Sequence, residues 1–361
     1  MYVRKKGNTV VLILVVLFAI LSSVLFVRAD TFLTDCGVLN IAGESYALSN
    51  SVTSGSTALA CFHITKSNIS LDCRGFRITY TGDNSVGINN TGWVNTIGGD
   101  NIGNHNVTIK NCVIFDDSTG TTTNRYGIHF RLAENATIVN NIINTSHAFS
   151  HGIVLDSSNR NYLFNNSINI KYSSHELTGP LEFSYGIIIN GSSEFNQLIN
   201  TNFSVNTSRY SIYHTSMKPT ILKYNNSQAS IQWTKTNITT SLNLSVGLNI
   251  FLDNGIAGFY PSIRPTGLSP MDNLNSTAII QFKNLSYQNT PRLLKAGRRC
   301  DNVFTTDPDF ACNITQYSSE PPFNGILDAN VTSFSNYTFL DNDPPNVTII
   351  FPANGAVFGW G

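Results

Sequence analysis

The sequence has 361 residues with 22 basic and 22 acidic side chains, so charged residues make up 12% of the chain and hydrophobic residues 41%. This composition excludes a disordered polar segment, which needs low hydrophobicity and high net charge. It also excludes an ordinary basic nucleic-acid-binding protein, because removing the four basic residues before Asp30 leaves 18 basic against 22 acidic groups. The length allows two domains. Asparagine is unusually frequent, since its 45 copies outnumber all 44 charged side chains.

Residues 1–29 are predicted to be an export signal. A basic run, Arg4 to Lys6, precedes an 18-residue apolar segment at 10–27, and the small residue Ala29 follows. This order is typical of a secretory signal peptide with cleavage after Ala29. The same segment is long enough to span a bilayer as an uncleaved anchor, and we expect membrane contact only through it. In both cases residue 30 and those after it are exported, to the cell surface or beyond.

The cysteines agree with export. Their number is even and none has the CxxC spacing of a metal site, so disulfides are the default interpretation. The six residues are Cys36, Cys61, Cys73, Cys112, Cys300 and Cys312. We expect Cys300 to pair with Cys312. The other four allow three connectivities, of which we favour Cys36 with Cys61 and Cys73 with Cys112.

Eighteen Asn-x-Ser/Thr triplets, the acceptor sequence for N-linked glycans, occur along the chain. They predict a glycosylated exterior. The alternative is that asparagine followed by serine or threonine simply suits the turns of a repeated fold. The main glycosylation candidates are Asn68, Asn106, Asn135, Asn144, Asn190, Asn206, Asn237, Asn284, Asn313 and Asn346.

The middle of the chain contains an imperfect repeat of two alternating strand motifs. One motif appears as VTIKNCVI, ATIVNNII, YLFNNSI and NQLINTNF, and the other is centred on Gly-Ile. The isoleucines of the second motif are spaced by 40, 25, 34 and 25 residues, at Ile88, Ile128, Ile153, Ile187 and Ile212. Periods of this size indicate a solenoid.

A repeat this short cannot bury its own apolar face, so Ile109, Ile138, Leu163 and Leu198 need the next repeat as a partner. Successive repeats are therefore expected to pair as parallel strands about 4.8 Å apart. Asn111, Asn140, Asn165 and Asn200 fall at one position of the repeat, where stacked amides can bond to one another and to turn backbone. This explains much of the asparagine excess.

These repeats resemble the right-handed parallel β-helix superfamily, the pectin-lyase-like group, and within it NosD-like repeats of secreted archaeal and bacterial proteins. The N-terminal piece DCGVLNIAGESYALSNSV with NISLDCRGFRITYTG looks like the opening of such helices. The resemblance covers about residues 36–215 and implies a right-handed parallel β-helix with Gly43 and Tyr46 in its first turn and strand. We therefore predict an all-β fold, with the β-helix at 30–227 including an N-terminal cap at 30–66, after the signal or anchor helix at 1–29.

The asparagine pattern stops near residue 228, and longer β segments follow. Residues 228–340 resemble a β-sandwich module that follows β-helices in archaeal surface proteins. Residues 341–361 look like a linker and the first strand of an immunoglobulin-like repeat. A lone strand is not a domain, so it either pairs with the preceding module or the chain is a piece of something longer.

Four residues are weak catalytic candidates: Asp116, Asp117, His151 and Asp156. Together with SHGI at 150 the adjacent aspartates faintly resemble polygalacturonase motifs, but Ser150 replaces the expected glycine. Glycoside hydrolysis needs two carboxylates a few ångströms apart, whereas adjacent strand residues point to opposite faces. The alternative, favoured here, is that the aspartates begin a turn.

Binding candidates are sparse. Tyr126, Tyr185 and Tyr210 recur in the Gly-Ile strand and are candidates for stacking on sugar rings, although column packing at a corner is the favoured alternative. His129 and His151 flank Gly-Ile in successive repeats, but no carboxylate or cysteine completes a metal set. The three methionines form no cluster with histidine, so copper binding is weakly supported. Asp253, Asp301, Asp307 and Asp309 are candidates for calcium, the one cofactor kept as possible.

The sequence therefore predicts a non-catalytic, exported cell-surface glycoprotein that serves in adhesion, envelope structure or carbohydrate binding. Its expected partners are cell-surface glycans or envelope components. Two alternatives stay open. One is a polysaccharide lyase or glycoside hydrolase, which requires charged residues to converge in a groove, and the other is a component of an S-layer-type lattice, which requires self-association.

Overall fold

The chain folds into β-strands. The computed structural model describes residues 30–55, 59–82, 85–91, 103–117, 125–146, 150–170, 184–205, 210–216, 218–234, 238–240, 244, 246, 250–253, 256–259, 274, 276–287, 289–301, 311–318, 325–333 and 336–340. Within these ranges there are thirty strands and no helix. The predicted signal or anchor helix at 1–29 and the predicted strand in 341–361 lie outside the described residues.

The first twenty-one strands form what we call the parallel stack. In chain order they are β1 (Thr31–Leu33), β2 (Gly37–Leu39), β3 (Ser45–Leu48), β4 (Val52–Thr53), β5 (Ala60–Ile64), β6 (Ser70–Asp72), β7 (Arg77–Tyr80), β8 (Val86–Thr91), β9 (Thr108–Lys110), β10 (Val113–Asp116), β11 (Arg125–Arg131), β12 (Thr137–Val139), β13 (Ile142–Thr145), β14 (Ser150–Asp156), β15 (Tyr162–Phe164), β16 (Ser167–Ile170), β17 (Tyr185–Asn190), β18 (Asn196–Ile199), β19 (Asn202–Val205), β20 (Tyr210–His214) and β21 (Thr220–Asn225).

Three parallel sheets share these strands. Sheet 1 contains β1, β3, β6, β9, β12, β15, β18 and β21, sheet 2 contains β4, β7, β10, β13, β16 and β19, and sheet 3 contains β2, β5, β8, β11, β14, β17 and β20. From β3 onward the chain visits sheets 1, 2 and 3 in turn, so each circuit adds one strand to each sheet.

The circuits stack in the register predicted from the repeat. Ile138 pairs with Ile109 on one side and with Leu163 on the other, and Leu163 pairs with Leu198. The five isoleucines of the Gly-Ile motif form a second column in sheet 3, from Ile88 to Ile212. Both columns are buried. The predicted placement of equivalent side chains above one another is confirmed.

The repeated asparagines occupy turns with left-handed backbone. Asn111, Asn140, Asn165 and Asn200 follow the sheet 1 strands and have φ angles of 56°, 57°, 53° and 51°. Asparagine adopts this region more readily than other non-glycine residues, so the turn itself selects it. Their amides also bond between circuits, since Asn165 Nδ2 donates to Asn140 Oδ1 at 2.8 Å.

The residue after each of these turns points inward and forms a second ladder, which the sequence analysis did not identify. Asn141 and Asn166 are each 1% exposed. Asn166 Oδ1 accepts from the backbone N–H of Asn141 at 3.1 Å and from its Nδ2 at 3.0 Å, while Asn166 Nδ2 donates to the carbonyl of Ile138 at 2.8 Å. The buried amides therefore satisfy corner backbone groups that water cannot reach.

The corner before sheet 1 repeats this arrangement. Asn161 Oδ1 accepts from the N–H of Ala136 at 2.9 Å, and Asn196 Oδ1 accepts from the N–H of Asn161 at 3.0 Å. Ser158 and Ser193 form a parallel hydroxyl ladder, because Ser193 Oγ accepts from the N–H of Ser158 at 2.9 Å. Two of the three corners of the stack are thus closed by stacked polar side chains.

Sheets 2 and 3 approach closely where the Gly-Ile glycines stack. A Cβ placed on Gly127 would lie 2.7 Å from the carbonyl oxygen of Gly152 and 2.7 Å from Cγ2 of Ile143. Gly87, Gly152 and Gly186 are equally confined in their own circuits. The narrow interior of the stack therefore requires glycine at this position of the motif.

Two disulfides join circuits at the N-terminal end of the stack. They link Cys36 to Cys61 and Cys73 to Cys112, with Cα–Cα distances of 4.7 Å in each case, which is the spacing of neighbouring strands. Cys112 precedes Asn141 in the inner ladder, and its N–H donates to Asn141 Oδ1 at 2.9 Å. Both pairs are the ones favoured from the sequence, and three disulfides, counting Cys300–Cys312, fit an oxidising compartment.

Parallel pairing ends at β21, and the remaining strands are antiparallel. They are β22 (Ala229–Trp233), β23 (Ile250–Asp253), β24 (Ile256–Phe259), β25 (Ala278–Leu285), β26 (Arg292–Lys295), β27 (Arg298–Arg299), β28 (Cys312–Ser318), β29 (Gly325–Val331) and β30 (Asn336–Leu340). Sheet 1 continues from β21 through β22, β25 and β29 to β28, and sheet 4 has the order β23-β24-β30-β26-β27. Aromatic rings join the two sheets, with Trp233 5.7 Å from Phe259 and Phe282 5.3 Å from Phe339.

The glycine column generates a stability prediction. Replacing Gly127 by alanine is expected to lower the free energy of unfolding by about 1–3 kcal/mol, because the new methyl group overpacks the narrow interior. Urea denaturation followed by circular dichroism measures this change. Gly37→Ala is the matched control, since a Cβ there meets nothing within 4 Å, and an equal loss in both variants would contradict the argument.

The inner ladder generates a second prediction. Asn166→Ala leaves the buried N–H of Asn141 without its acceptor, so we expect a loss of about 1–3 kcal/mol in the free energy of unfolding. The control is Asn169→Ala on the outer face of sheet 2, where the lost bond is one amide contact to Asn144 at 3.0 Å and the expected change is within about 0.5 kcal/mol. Amide hydrogen exchange at Asn141 should accelerate in the first variant alone.

Candidate functional site

The outer face of sheet 3 carries the most chemically distinctive side chains of the stack. The register places Tyr126 beside His151 and Tyr185 beside Tyr210 in successive circuits. The ring centroids of Tyr126 and His151 are 5.6 Å apart with planes at 23°, and those of His151 and Tyr185 are 5.2 Å apart. The sequence analysis treated Tyr126, Tyr185 and Tyr210 as sugar-stacking candidates, with packing in one column as the favoured alternative, and the structure inserts a histidine between the first two. The side chain of Tyr210 lies outside the described part.

Two further rings belong to this set, and each lies three residues farther along its strand than the tyrosine of the same strand. His129 lies 4.7 Å from Tyr126, and Tyr213 lies 4.8 Å from Tyr185, both measured between ring centroids. We call the five residues Tyr126, His129, His151, Tyr185 and Tyr213 the aromatic column. The faces of its rings are turned largely toward one another, so they stack within the protein.

Burial determines the charge state of the histidines. His151 is 8% exposed, and this burial lowers its pKa to about 3. Burial likewise lowers the pKa of His129 to about 4, an effect that Asp156 opposes and Arg131 reinforces. His151 Nδ1 accepts the backbone N–H of Tyr185 at 3.2 Å, which requires that nitrogen to be unprotonated. Both histidines are therefore neutral at neutral pH.

Asp156 lies on the same outer face of sheet 3, at the C-terminal end of β14. It forms an ion pair with Arg131 at 3.4 Å, and with its amide nitrogen turned inward Asn190 donates to Asp156 Oδ1 at 3.1 Å. Asp156 is five residues from His151 along β14, a distance of about 16 Å at 3.3 Å per residue. The carboxylate is held by these neighbours and does not meet the histidine.

Asp116 lies inside the stack. It is fully buried, and its Oδ2 accepts from Ser150 Oγ at 2.6 Å. Tyr80 and Arg125 are buried in the same region, and burial together with the charge of Asp116 raises the pKa of Tyr80 well above its ordinary value. Ser150, the residue that replaces glycine in the weak motif, is thus the partner of Asp116.

Asp117 is exposed, on the opposite side of the strand from Asp116, as the alternation of strand side chains requires. The four catalytic candidates therefore occupy three separate places: the interior, the surface after β10, and the outer face of sheet 3. The structure does not bring them together as a pair of catalytic carboxylates with a histidine.

The metal candidates are also separated. No group of three or more histidine, cysteine, aspartate or glutamate side chains lies close enough to hold a metal within the described ranges. Asp301 accepts from Arg299 Nε at 2.7 Å, so a cation is already its partner. Asp253 is exposed at the end of β23, and Asp307 and Asp309 lie outside the described residues.

The glycosylation candidates differ in exposure. Asn68, Asn106, Asn135, Asn284 and Asn313 are exposed, whereas Asn144 and Asn190 are half-buried. Asn68, Asn106 and Asn135 share the turn before sheet 1 with φ angles of 61°, 54° and 55°, and Asn106 Nδ2 donates to Asn68 Oδ1 at 2.9 Å. Asn206, Asn237 and Asn346 lie outside the described residues.

A cavity of about 460 Å³ lies at the strand ends of the antiparallel part. Among the residues that line it are Asn313 and Asn330, which face each other across β28 and β29. Both belong to Asn-x-Thr triplets.

Comparison with known proteins gives no identification. No family model matches the chain, and no curated protein matches it. A solved chain described as ORF18 of Geobacillus virus E2 aligns with 70% of this chain and 62% of its own length, at 8% identity and a TM-score of 0.22. The aligned part is thus less than two thirds of that chain, and a similarity with this TM-score is no evidence for the fold or the function of the present chain. None of the described residues forms a helix long and apolar enough to cross a membrane.

The buried histidines generate a pH prediction. A folded-state pKa of about 3 for His151 lies below the ordinary value of 6.5. As the pH falls, this histidine therefore binds its proton at a higher pH in the unfolded chain than in the folded chain. The stabilisation is complete above pH 6.5 and is lost as the pH falls toward 3, by up to about 1.4 kcal/mol per pH unit for each such histidine.

Replacing His151 by glutamine removes one titrating group while keeping a side-chain acceptor. The fall in the free energy of unfolding between pH 6.5 and pH 4 should then be shallower than in the parent chain, as measured by urea denaturation at several pH values. His129 and His214, whose pKa is lowered by burial to about 4, keep part of the slope. An unchanged slope in the variant would contradict the lowered pKa, because it would show that His151 binds its proton as readily in the folded chain as in the unfolded chain.

Proposed function

We propose that the chain is an exported, glycosylated cell-surface protein in which residues 30–227 form a right-handed parallel β-helix and residues 228–340 a β-sandwich. Its role is a non-catalytic one in adhesion or envelope structure. The stacked register of the three parallel sheets supports the β-helix, and the aromatic contacts between sheets 1 and 4 support the sandwich. The partners of such a protein are envelope components or surface glycans.

The observation that carries this proposal is the row of exposed acceptor asparagines at one corner of the stack. Asn68, Asn106 and Asn135 all occupy the same turn in successive circuits, and each is exposed. The three disulfides favour the same oxidising, extracellular compartment that N-linked glycans mark. A corner covered by sugars presents a hydrated surface outside the cell.

A structural role fits the use of the side chains better than catalysis. Asp156 is neutralised by Arg131, Asp116 is bonded inside the core to Ser150, and the rings of the aromatic column stack on one another. Sugar stacking on Tyr126 and Tyr185 would need ring faces that these contacts already occupy. We therefore place adhesion and envelope structure ahead of carbohydrate binding, the polysaccharide lyase or hydrolase, and the S-layer lattice.

Glycopeptide mapping of the protein from its own cells tests the proposal. We expect glycans on the exposed Asn68, Asn106, Asn135, Asn284 and Asn313. The half-buried Asn89, Asn190 and Asn336 belong to the same kind of triplet and are expected to be unmodified, which makes them internal controls. Protease treatment of intact cells should remove the protein from the surface. Bare peptides at all eight positions, or protection from the protease, would refute the proposal.

A further inference from the structure

The two ends of the parallel stack are built differently. At the C-terminal end, Thr240 lies along the last strand of sheet 3. Its carbonyl accepts the N–H groups of Ser211 at 3.0 Å and Ile212 at 3.2 Å, and its own N–H donates to the carbonyl of Ile212 at 3.0 Å. Leu244 does the same for sheet 2, accepting the N–H of Phe203 at 2.7 Å. Sheet 1 continues into antiparallel β22. The edges of all three sheets are therefore covered at this end.

At the N-terminal end, β1, β2 and β4 are the terminal strands of the three sheets. Within the described residues no strand pairs with their outer edges. Large apolar side chains are exposed here: Phe32 at 58%, Val38 at 57%, Ile41 at 51% and Leu59 at 75%. We call these four residues the apolar end face. Water-exposed apolar groups in the first two circuits, in and beside terminal strands whose outer edges no described residue pairs, indicate a surface that has a partner.

The chain itself limits what this partner is. The apolar segment at 10–27 ends three residues before Asp30, where the fold begins. Three extended residues reach about 10 Å. An 18-residue uncharged segment is long enough to cross a bilayer, with the basic residues Arg4 to Lys6 on the inner side. A segment that stays in the membrane thus holds the first strand within about 10 Å of the lipid surface.

We propose that the apolar end face rests on the outer surface of the membrane that residues 10–27 enter. The inference builds on the proposed export and adds that the segment remains as an anchor. The stack then stands on the bilayer by its N-terminal end, and its antiparallel part points away. Side chains such as Val38 and Ile41 suit the boundary between headgroups and acyl chains, where apolar groups are favourably buried.

A second copy of the chain is the competing occupant, because open sheet edges can pair with one another. The course of the chain disfavours it. The terminal strand β1 starts at Thr31, so two copies joined edge to edge would have to fit residues 1–29 of both chains at their contact. The lipid surface needs no such accommodation.

The charges beside the face define the lipid. Asp30 is paired with Arg74 at 2.8 Å, the guanidinium of Arg74 also lies 4.8 Å from the centre of the Phe32 ring, and Asp35 is exposed. These groups therefore add no excess of positive charge. The attraction is therefore expected to be apolar and to be equal for zwitterionic and anionic membranes. This separates the proposal from a basic, headgroup-binding surface.

Photo-crosslinking of the full chain in phosphatidylcholine vesicles tests the proposal. The probe is a phosphatidylcholine with a diazirine near the top of its acyl chain, and adducts are located by mass spectrometry. We expect adducts on Val38, Ile41 and Leu59 in addition to those in 10–27. Ile142 and Ile326, exposed at 44% and 39% elsewhere in the fold, are internal controls and should carry none.

The double variant Val38→Ser, Ile41→Ser should lose the adducts of the end face and retain those of 10–27, whereas Ile142→Ser should change nothing. Adducts confined to 1–29, adducts shared equally with Ile142 and Ile326, or complete absence of adducts would each overturn the proposal. Chain-to-chain crosslinks at Val38 in place of lipid adducts would identify a second copy as the occupant. Export and glycosylation are judged separately by the glycopeptides, so the two proposals fail independently.

Discussion

The structure depends on one constraint: every circuit of the chain lies directly on the circuit before it, one strand spacing away. The sheets satisfy the backbone hydrogen bonds along the strands, but at the corners some backbone polar groups face the interior, where no strand can pair with them. Stacked side chains pair with these groups instead. Asn141, for example, accepts the N–H of Cys112 at 2.9 Å and donates to the carbonyl of Ile109 at 3.1 Å. Asparagine suits the position because its short amide both donates and accepts, so identical residues can bond to one another in a continuous ladder.

The same constraint accounts for the scarcity of charge. In a parallel stack equivalent residues superimpose, and a charge repeated in every circuit would face its own copy at strand spacing, which is destabilising. Amides and apolar side chains repeat without that cost. Where charges occur they alternate in sign between circuits, as in Asp72 with Lys110 and Arg131 with Asp156. The low charged fraction and high asparagine content are thus consequences of the architecture.

Stacking also determines where the protein can meet other molecules. On the outer face of sheet 3, Tyr126 and Tyr185 use their ring faces against His151, and the carboxylate of Asp116 is turned into the core. On this face the side chains are therefore occupied largely by contacts within the protein. The described residues leave the acceptor asparagines of one corner exposed, and none of them pairs with the outer edges of the N-terminal strands. This distribution suits the scaffold role that we propose.

The sequence by itself determined the repeat and its columns. The periodic placement of Ile109, Ile138 and Leu163 identifies one buried face, because a strand face that is apolar in every repeat has to be covered by the next one. The even number of cysteines likewise predicted disulfides from the sequence alone. The tertiary structure alone decided which neighbouring residue points inward. Asn165 and Asn166 look alike in the sequence, yet one lies in a left-handed turn at the surface and the other is buried. Likewise, Asp116 and Asp117 are identical neighbours, and only the side of the strand on which each lies makes one buried and the other exposed. His151 joins the tyrosines only because circuits of unequal length return to the same strand register. Such contacts join residues 25 to 39 positions apart, so a local pattern cannot specify them.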